Sequence, residues 1–296
     1  MIETLAKLTI LQGSNNLIKL VGSIGVKVLD YEVTLNDLNY DLWRSIIDLY
    51  RSDPYAHSYL VYDMLYYLNR INVVFRVSRK GVESYALYWR GYGRDSIHLW
   101  GPDIKPIKRL IDVLGGDVVI QLYDNSVVDD LTDYLRSQGF DVRLEYYLDM
   151  VVDEDSFRSY SPDKAIRLSD NNLTDFLELE RIAGRIISED VAKEILTRWR
   201  YYGLYVNGTL VSIACRYLAL PEVHIIGDVF THPNFRGRSY AKIVTSAVTR
   251  DAVLSGAHAL LHVREGNDPA IRVYRALGYR VLRRRAWVIA KKLFKQ

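Results

Sequence analysis

The sequence predicts a mixed α/β fold, in which helices pack on a sheet of parallel and antiparallel strands. The main observation is that segments with strand character alternate with segments of helical periodicity from residue 164 to residue 290. Asn207-Gly208 lies between two β-rich runs and is a strong hairpin signal, because both central residues take positive φ. Asp268 followed by Pro269 marks a helix start, with a capping side chain and a proline at the first helical position.

The predicted order of elements in the second half is β-α-α-β-β-β-α-β-α-β. Leu173, Phe176 and Leu177 recur at the spacing of one helix face. Gly256 and Gly278 stand where two helices are expected to end, in a position that favours glycine. The predicted elements are, in order, Ala165–Leu168, Asn172–Ala183, Glu189–Arg200, Tyr201–Val206, Thr209–Leu218, Val223–Thr231, Arg238–Leu254, Ala259–Arg264, Pro269–Leu277 and Arg284–Ala290.

The end of the first half resembles the end of the second. Val118–Tyr123 has strand character, Val127–Gln138 has helical periodicity, and Arg143–Val152 is a strand that closes the half. When Gly139 is set over Gly278, the two strand-helix-glycine-aromatic-strand runs align, which predicts a weak internal duplication.

The chain of 296 residues is long enough for two domains of about 100–200 residues each. The polar, serine-containing stretch 153–163 is typical of a linker. We therefore expect a first domain at 1–152, a linker at 153–163 and a second domain at 164–296. Residues 1–35 carry no pattern that indicates a function.

Composition argues against several classes of protein. Hydrophobic residues make up 49% of the chain and charged residues 25%, which is typical of a protein with a substantial core. The net charge of +3 is far below that of a dedicated nucleic-acid binder, so we expect no nucleic-acid partner. The single cysteine, Cys215, fits a reducing compartment, and no apolar run reaches the length of about 18 residues that a membrane span needs. We expect a cytoplasmic protein with no membrane partner and, because no zinc-ligand spacing is present, no metal.

A candidate ligand site lies between a strand and a helix, over Val229–Ala241. Pro233 must end the strand because it cannot donate to a ladder, and Gly237 lets the backbone approach a ligand closely. The free N–H groups of the first helical turn, with the helix dipole, form a site suited to a pyrophosphate. Arg236 and Arg238 add positive charge. On these residues alone, a basic turn that merely starts a surface helix is an equal alternative.

This turn resembles the acyl-CoA-binding motif of the GCN5-related N-acetyltransferase (GNAT) superfamily, written Q/R-x-x-G-x-G/A after a V-x-x-x-P strand end. Arg236 matches the first position of the motif and Ala241 the last. Ser239 departs from the glycine that the family usually has, although a serine is small enough not to block the ligand.

A second segment also resembles this superfamily. Asn267, Ala270 and Tyr274 match its N-x-x-A-x-x-x-Y motif, and Leu277-Gly278-Tyr279 follows as the family's L-G-Y. The two motifs occur in the family's order and spacing. The resemblance implies the mixed-sheet acyl-CoA N-acyltransferase fold and, with the duplication, two tandem GNAT-like domains.

The resemblance further implies that acetyl-CoA or another acyl-CoA is the co-substrate. In the family, the amides at the strand end hold the acyl carbonyl and the pantetheine arm, and the turn holds the pyrophosphate. The implied binding residues are Val229, Phe230, Thr231, Arg236, Gly237, Arg238, Ser239, Tyr240, Ala241, Asn267, Ala270 and Tyr274.

Candidate catalytic residues follow from the chemistry of acyl transfer to an amine. Tyr274 resembles the family tyrosine that donates a proton to the leaving sulfur, whereas the alternative is a packed aromatic residue. His262 is a candidate base near neutral pH, and a hydrogen-bonded strand histidine is the equal alternative. Asp228 and Glu222 are rivals for the base. Cys215 lies in an apolar strand and is expected to be an inert core thiol, so no acyl-enzyme is predicted.

The first half lacks this machinery if it is a second copy of the fold. Between the strand Ser96–Trp100 and a predicted helix at Lys105–Leu114 there is no basic, glycine-containing turn, and Leu135 takes the place of Tyr274. FR47-like and glycine N-acyltransferase-like proteins similarly pair a degenerate N-terminal domain with an active C-terminal one. The Arg283-Arg284-Arg285 run is expected to be a solvated cluster, with a contact to phosphate or to an acidic partner as the alternative.

The sequence thus predicts an acyl-CoA-dependent N-acyltransferase that transfers an acetyl group directly to a primary amine. The acceptor is left open among small amines, amino acids and protein amines. The alternative is a non-catalytic acyl-CoA-binding sensor, in which Ser239 and His262 mark lost function. A homodimer is also left open.

Overall fold

The computed structural model describes residues 31–114 and 116–293, and the predicted mixed α/β fold is confirmed. The described strands form one sheet of 12 strands. The predicted hairpin is also confirmed, since Asn207 and Gly208 have φ values of 50° and 79°. The strands are β1 Tyr31–Thr34, β2 Ile71–Ser78, β3 Gly81–Trp89, β4 Asp95–Trp100, β5 Val118–Leu122, β6 Phe140–Val152, β7 Ile166–Arg167, β8 Arg200–Val206, β9 Thr209–Ala219, β10 Val223–Thr231, β11 His258–Arg264 and β12 Arg280–Lys292.

Helices pack on both faces of this sheet and fill separate cores. No helix within the described ranges is both long enough and apolar enough to cross a lipid bilayer. The helices are α1 Tyr40–Ser52, α2 Pro54–Tyr66, α3 Lys105–Lys108, α4 Val128–Ser137, α5 Leu173–Ile182, α6 Glu189–Arg198, α7 Tyr240–Val253 and α8 Asp268–Ala276.

The two halves of the chain exchange their last strands. The strand order is β1-β2-β3-β4-β5-β12-β6-β11-β10-β9-β8-β7, so β6 lies between two strands of the second half and β12 between two strands of the first. The sequence predicts that β6 closes the first half, whereas its pairing partners are β11 and β12 of the second half. Both exchanged strands are 13 residues long and are paired along their length, which satisfies backbone N–H and C=O groups that would otherwise be exposed at an edge.

Alternate residues of β6 face different cores, as the period of a strand requires. Met150 and Val152 pack in the core beneath α7 and α8, together with Leu261 of β11. Val151 packs on the other face, in the core beneath α1 and α2, with Leu260. The exchanged strand therefore joins the hydrophobic cores of both halves.

Several helices are shorter than predicted, and the structure gives the reason for two of them. The segment expected to be helical over Lys105–Leu114 forms only α3, followed by a 3-10 turn at Ile111–Val113. Its apolar side chains Ile107, Leu110 and Leu114 are all buried in one core, so tertiary packing decides the local conformation here. The helix expected to reach Arg200 ends at Arg198, because the chain enters β8.

The segment 153–163 packs against the second half. The Arg158 N–H donates to the Leu277 carbonyl at 3.0 Å, and the Tyr160 N–H donates to the Ser246 hydroxyl at 2.8 Å. Gly278 has a φ of 97°, and a Cβ at this position would overlap the Ser156 carbonyl oxygen.

We expect Gly278→Ala to destabilise the protein more than Gly139→Ala does. Both glycines take positive φ, at 97° and 81°, so each alanine carries a backbone cost of about 1–2 kcal/mol. Only Gly278 also faces a backbone atom of 153–163, whereas a Cβ on Gly139 meets nothing within 4 Å. Thermal unfolding of both variants measures the difference. Equal losses would show that the 153–163 segment is not docked as described.

Candidate active site

A cleft opens where β10 and β11 separate. These parallel strands pair only over Val223–Ile226 and His258–Leu261. Beyond that point β10 has a bulge against β9, between Gly227 and Phe230, and Asp228 within the bulge has a φ of 51°. The bulge bends β10 away from β11 and leaves a cleft of about 520 Å³.

The corresponding strands of the first half do not separate. β4 and β5 pair in parallel from Asp95 opposite Val118 through Leu99 opposite Leu122. The Tyr123 N–H then continues the ladder by donating to the Leu99 carbonyl at 3.0 Å. The first half therefore has no equivalent gap at this point of the sheet.

The cleft is lined by residues from both halves of the chain. Its walls come from the bulge of β10, the end of β11, the start of α8, the exchanged strands, and two loops. The lining residues are Arg94, Arg143, Glu145, Tyr147, Arg185, Ile226, Gly227, Asp228, Val229, Leu261, His262, Val263, Arg264, Asn267, Tyr274 and Ile289.

The predicted phosphate turn has the geometry of an anion site. After a 3-10 turn at Pro233–Phe235, Gly237 and Ser239 take left-handed conformations with φ of 77° and 61°, and α7 begins at Tyr240. The first helical hydrogen bond runs from the Ile243 N–H to the Ser239 carbonyl at 3.2 Å.

The amides from 237 to 242 have no acceptor among the described residues of the protein. Gly237, Arg238 and Ser239 are exposed, so no side chain covers the turn. Successive free N–H groups in such a conformation, at a helix N-terminus, form a concave site for an anion.

Aromatic rings support the two arginines of this turn. The Arg236 Nε donates to the Thr231 carbonyl at 3.2 Å, and its guanidinium lies 5.8 Å from the centre of the Phe230 ring. The Arg238 guanidinium lies 5.6 Å from the centre of the Phe235 ring. These contacts hold positive charge beside the free amides.

The three residues predicted at the strand end differ in their pairing. Phe230 and Thr231 are paired with β9, and the Ser212 hydroxyl donates to the Phe230 carbonyl at 3.0 Å. Val229 lies in the bulge, outside the paired register, and lines the cleft. Of these three residues, Val229 therefore lies nearest the gap.

The start of α8 brings the second predicted motif to the cleft. The Asn267 side chain caps the helix by accepting from the Ala270 N–H at 3.4 Å, and Asn267 also lines the cleft. Tyr274 is 7% exposed and lines the cleft too. Burial raises the pKa of Tyr274 to about 12, so the phenol stays protonated at neutral pH and can donate.

Asp228 is bound by two partners in the cleft. The Tyr201 hydroxyl donates to it at 2.6 Å, and Arg185 forms an ion pair with it. Arg185 also contacts both oxygens of Glu180, at 2.6 and 2.7 Å. The remaining rival, Glu222, lies beside the other end of β10 and accepts from the Tyr50 hydroxyl. No sequence motif indicated a role for Arg185 or Tyr201 in the site.

His262 belongs to a buried charged cluster. Its Nδ1 lies 2.7 Å from Asp149, and the Arg285 Nε lies 2.7 Å from the other oxygen of the same carboxylate. Burial alone would raise the pKa of Asp149, but Arg285 and His262 outweigh it and lower the pKa to about 2. Burial lowers the pKa of His262, although Asp149 acts in the opposite direction.

The expectation of a solvated Arg283–Arg285 cluster is wrong for Arg285. Arg284 is partly exposed and pairs with Glu265 at 2.8 Å, but Arg285 is only 1% exposed because neighbouring strand residues point to opposite faces. The sequence gives only a weak signal for this burial, because three consecutive arginines do not show the alternation of apolar and polar residues that marks the buried face of a strand. The partner carboxylate, Asp149, lies on a strand of the other half.

The matching turn of the first half is filled by the protein itself. Asp103 accepts from the Lys105 N–H at 2.8 Å and pairs with Arg76. Leu135, at the position that corresponds to Tyr274, is fully buried. Across 31–114 and 116–293, no group of three or more His, Cys, Asp and Glu residues is arranged to hold a metal ion.

Comparisons with known proteins agree with this geometry. Residues 201–288 match the FR47-like protein family. A Drosophila protein of known structure shares the fold over 88% of this chain and 98% of its own, with a TM-score of 0.66 and 16% identity. A GCN5-related N-acetyltransferase-like protein from Streptococcus suis covers 84% of this chain and 100% of its own, with a TM-score of 0.58 and 15% identity.

A tandem GNAT protein from the clavulanic acid biosynthesis pathway covers 86% of this chain and 95% of its own, with a TM-score of 0.52 and 12% identity. At these identities the likeness establishes the fold. The sequence matches no curated protein.

We expect Ser239→Gly to keep the affinity for CoA and Ser239→Val to lower it about tenfold or more, a loss of about 1.4 kcal/mol or more. Ser239 has a φ of 61°, which glycine adopts freely and a β-branched residue does not, so valine distorts the amides of the turn. Calorimetric titration with CoA measures the affinities, and thermal unfolding without ligand checks the fold. Equal affinity in a folded Ser239→Val protein would show that this turn does not hold the ligand.

Proposed function

Because this chain has the fold of the GNAT superfamily, with an FR47-like segment at 201–288, we propose that it is an acyl-CoA-dependent N-acyltransferase that transfers acetyl to a primary amine. The observation that carries the proposal is the set of unpartnered amides at the start of α7, next to a gap between β10 and β11. A pyrophosphate fits the unpartnered amides, and a pantetheine arm fits the gap between the strands.

Binding of both substrates in one cleft accounts for much of the chemistry. The turn holds the diphosphate, and the thioester lies in the gap beside Val229, whose amide polarises the carbonyl. The amine attacks the carbonyl carbon, and the C–S bond breaks. Tyr274 donates its proton to the departing sulfur, which its raised pKa allows because the phenol is protonated beforehand. The proton that the nitrogen loses as the amide forms then restores the Tyr274 phenol.

A non-catalytic acyl-CoA sensor is the second candidate, and one observation favours it. Asp228 is held in an ion pair, and the outer nitrogen of His262 is occupied by the Tyr59 hydroxyl at 3.1 Å. Neither group is therefore a free base in the cleft. Release of CoA thiol from acetyl-CoA with a panel of amines separates the candidates, because a sensor gains thermal stability with CoA but releases no thiol.

We expect Tyr274→Phe to lower kcat about 100-fold, within the range of about 10²–10⁴ for general acid catalysis, and to change CoA affinity by less than about threefold. The ring is kept, so packing in the core is kept, and only the proton donor is lost. Steady-state thiol release and calorimetric titration measure the two quantities. Tyr279→Phe is the matched control, since Tyr279 lies 6.0 Å away between ring centres and its hydroxyl contacts Thr249 instead. An unchanged kcat in Tyr274→Phe would remove this tyrosine from the mechanism.

The charge of the cleft favours an acceptor that also carries an anionic group. Arg94, Arg143, Arg185 and Arg264 line it, against Glu145 and Asp228. Arg185 is paired with Asp228. Glu145 lies 3.2 Å from Arg143 and 3.9 Å from Arg264. Arg94, which also lines the cleft, has no ion pair with any residue in the described ranges. Among the amines left open by the sequence, we therefore favour one with a carboxylate, such as an amino acid.

We expect Arg94→Gln to raise KM about 10-fold or more for an amino acid but not for the amide of the same amino acid, because a hydrogen bond to a charged group contributes about 1.5–3 kcal/mol. Arg90→Gln is the control, since Arg90 is on the same loop but does not line the cleft. Thiol-release kinetics with both acceptors measure the effect. The same KM change for the amide would rule out recognition of the carboxylate by Arg94.

A further inference from the structure

A tyrosine from the first half contacts the candidate base of the second. Tyr59 lies on α2, and its hydroxyl is 3.1 Å from the His262 Nε2 and 2.7 Å from the Tyr217 hydroxyl. Its ring is stacked on His98, with 4.1 Å between ring centres, and its residue is 9% exposed. The side chain is therefore fixed between the imidazole and Tyr217.

The charges around His262 give these hydrogen bonds a direction. The Nδ1 of His262 lies 2.7 Å from the ionised Asp149 and 3.3 Å from the Arg285 Nη2. We assign the Nδ1 proton to the shorter contact, with the carboxylate, which leaves Nε2 as an acceptor. Tyr59 can then only donate to Nε2. Its oxygen is in turn free to accept from the Tyr217 hydroxyl at 2.7 Å.

The far end of this chain of hydroxyls lies behind Gly227, a residue that lines the cleft. Tyr217 is on β9, and its ring would lie 2.6 Å from a Cβ on Gly227. Gly227 and His262 both line the cleft, and Tyr217 is only half-buried. The hydroxyl chain therefore starts on a tyrosine that packs against the cleft wall at Gly227, and it ends on the imidazole.

We propose that Tyr217 and Tyr59 pass a proton from the acceptor ammonium to His262, so that the first half supplies a link in the reaction of the second; this rests on the proposed function. The ammonium proton moves to the Tyr217 oxygen, the Tyr217 proton to the Tyr59 oxygen, and the Tyr59 proton to Nε2. The neutral amine and an imidazolium result, and Asp149 balances the new charge. After acyl transfer, the proton returns along the same hydroxyls to water.

The surroundings of His262 set how it responds to pH. Asp149 and Arg285 form an ion pair with no net charge. Burial lowers the pKa of the His262 imidazole below its ordinary value of about 6.5, so the imidazole is neutral at pH 7. The base is therefore ready at neutral pH, and it is lost only in acid. The titratable and charged groups that face His262 are Asp149 on β6, Arg283 and Arg285 on β12, Tyr59 on α2, Tyr217 on β9, His98 on β4, and Tyr123.

The test is the pH dependence of kcat/KM in the full-length Tyr59→Phe protein, with acetyl-CoA and an amine whose pKa is about 10. Phenylalanine keeps the stack on His98 but breaks the chain of hydroxyls. Only amine that is already neutral then reacts, so we expect a loss of about tenfold or more at pH 7 that shrinks towards none as pH approaches the pKa of the amine. A role in packing alone would give the same loss at every pH.

A second variant tests the shared path. Tyr217→Phe is expected to show the same pH-dependent loss, and the double variant no further loss, because both remove one route. Tyr62→Phe, on the same helix but outside the chain, is the control and keeps full activity. Calorimetric titration is expected to show unchanged CoA affinity in all four proteins. Tyr217→Phe also keeps the proposal testable if Tyr59→Phe does not fold.

Three results would overturn the proposal. A pH-independent loss in both variants makes the tyrosines structural, and full activity in both removes them from the path. If the parent protein binds CoA but acylates no amine, the proposed function fails and the relay fails with it. An active parent with unaffected variants instead leaves the function standing and refutes the relay alone.

Discussion

The ion pair between Asp149 and Arg285 is the constraint on which the rest of the structure depends. Both side chains are 1% exposed, and an unpaired charge at such depth is strongly destabilising. They come from the exchanged strands β6 and β12, and His262 on β11 completes the cluster. A slip of one residue in either strand would turn its charged side chain to the opposite face. The pair therefore requires one register, and that register fixes the wall of the cleft.

The two halves have the same order of elements, but they differ at their parallel strand pairs, β4–β5 and β10–β11, and at the turn that joins the first strand of each pair to a helix. In the first half the parallel pair β4–β5 stays closed, and Asp103 accepts from the first amide of a one-turn helix. In the second, β10 bulges away from β11, and the amides at the start of α7 have no protein acceptor. A carboxylate that already occupies the turn leaves no place for a phosphate. The first half therefore contributes walls and side chains instead, among them Arg94 and Tyr59.

Sequence patterns predicted what is local. The turn at 233–241 and the helix α8 lie within short stretches, where proline, glycine and capping residues act on their own neighbours. The predicted cap of α8, Asp268, is wrong by one residue, because Asn267 caps the helix. The strand exchange and the burial of Arg285 could not be predicted, because their partners lie more than a hundred residues away. Helix α2 was also missed, and with it Tyr59, since its mostly buried residues lack the one-sided pattern of a surface helix.

Asp228 illustrates why a candidate base from sequence can have a different part in the structure. It has a φ of 51°, a left-handed conformation that costs a residue with a side chain about 1–2 kcal/mol. The Tyr201 hydroxyl and Arg185 hold its carboxylate in that position, and Arg185 is anchored in turn by Glu180. The strained bulge keeps β10 apart from β11, so these contacts hold the gap open. A carboxylate tied in this way stabilises the geometry of the cleft, so for the proposed transfer we look for the base in His262 and the hydroxyls that lead to it.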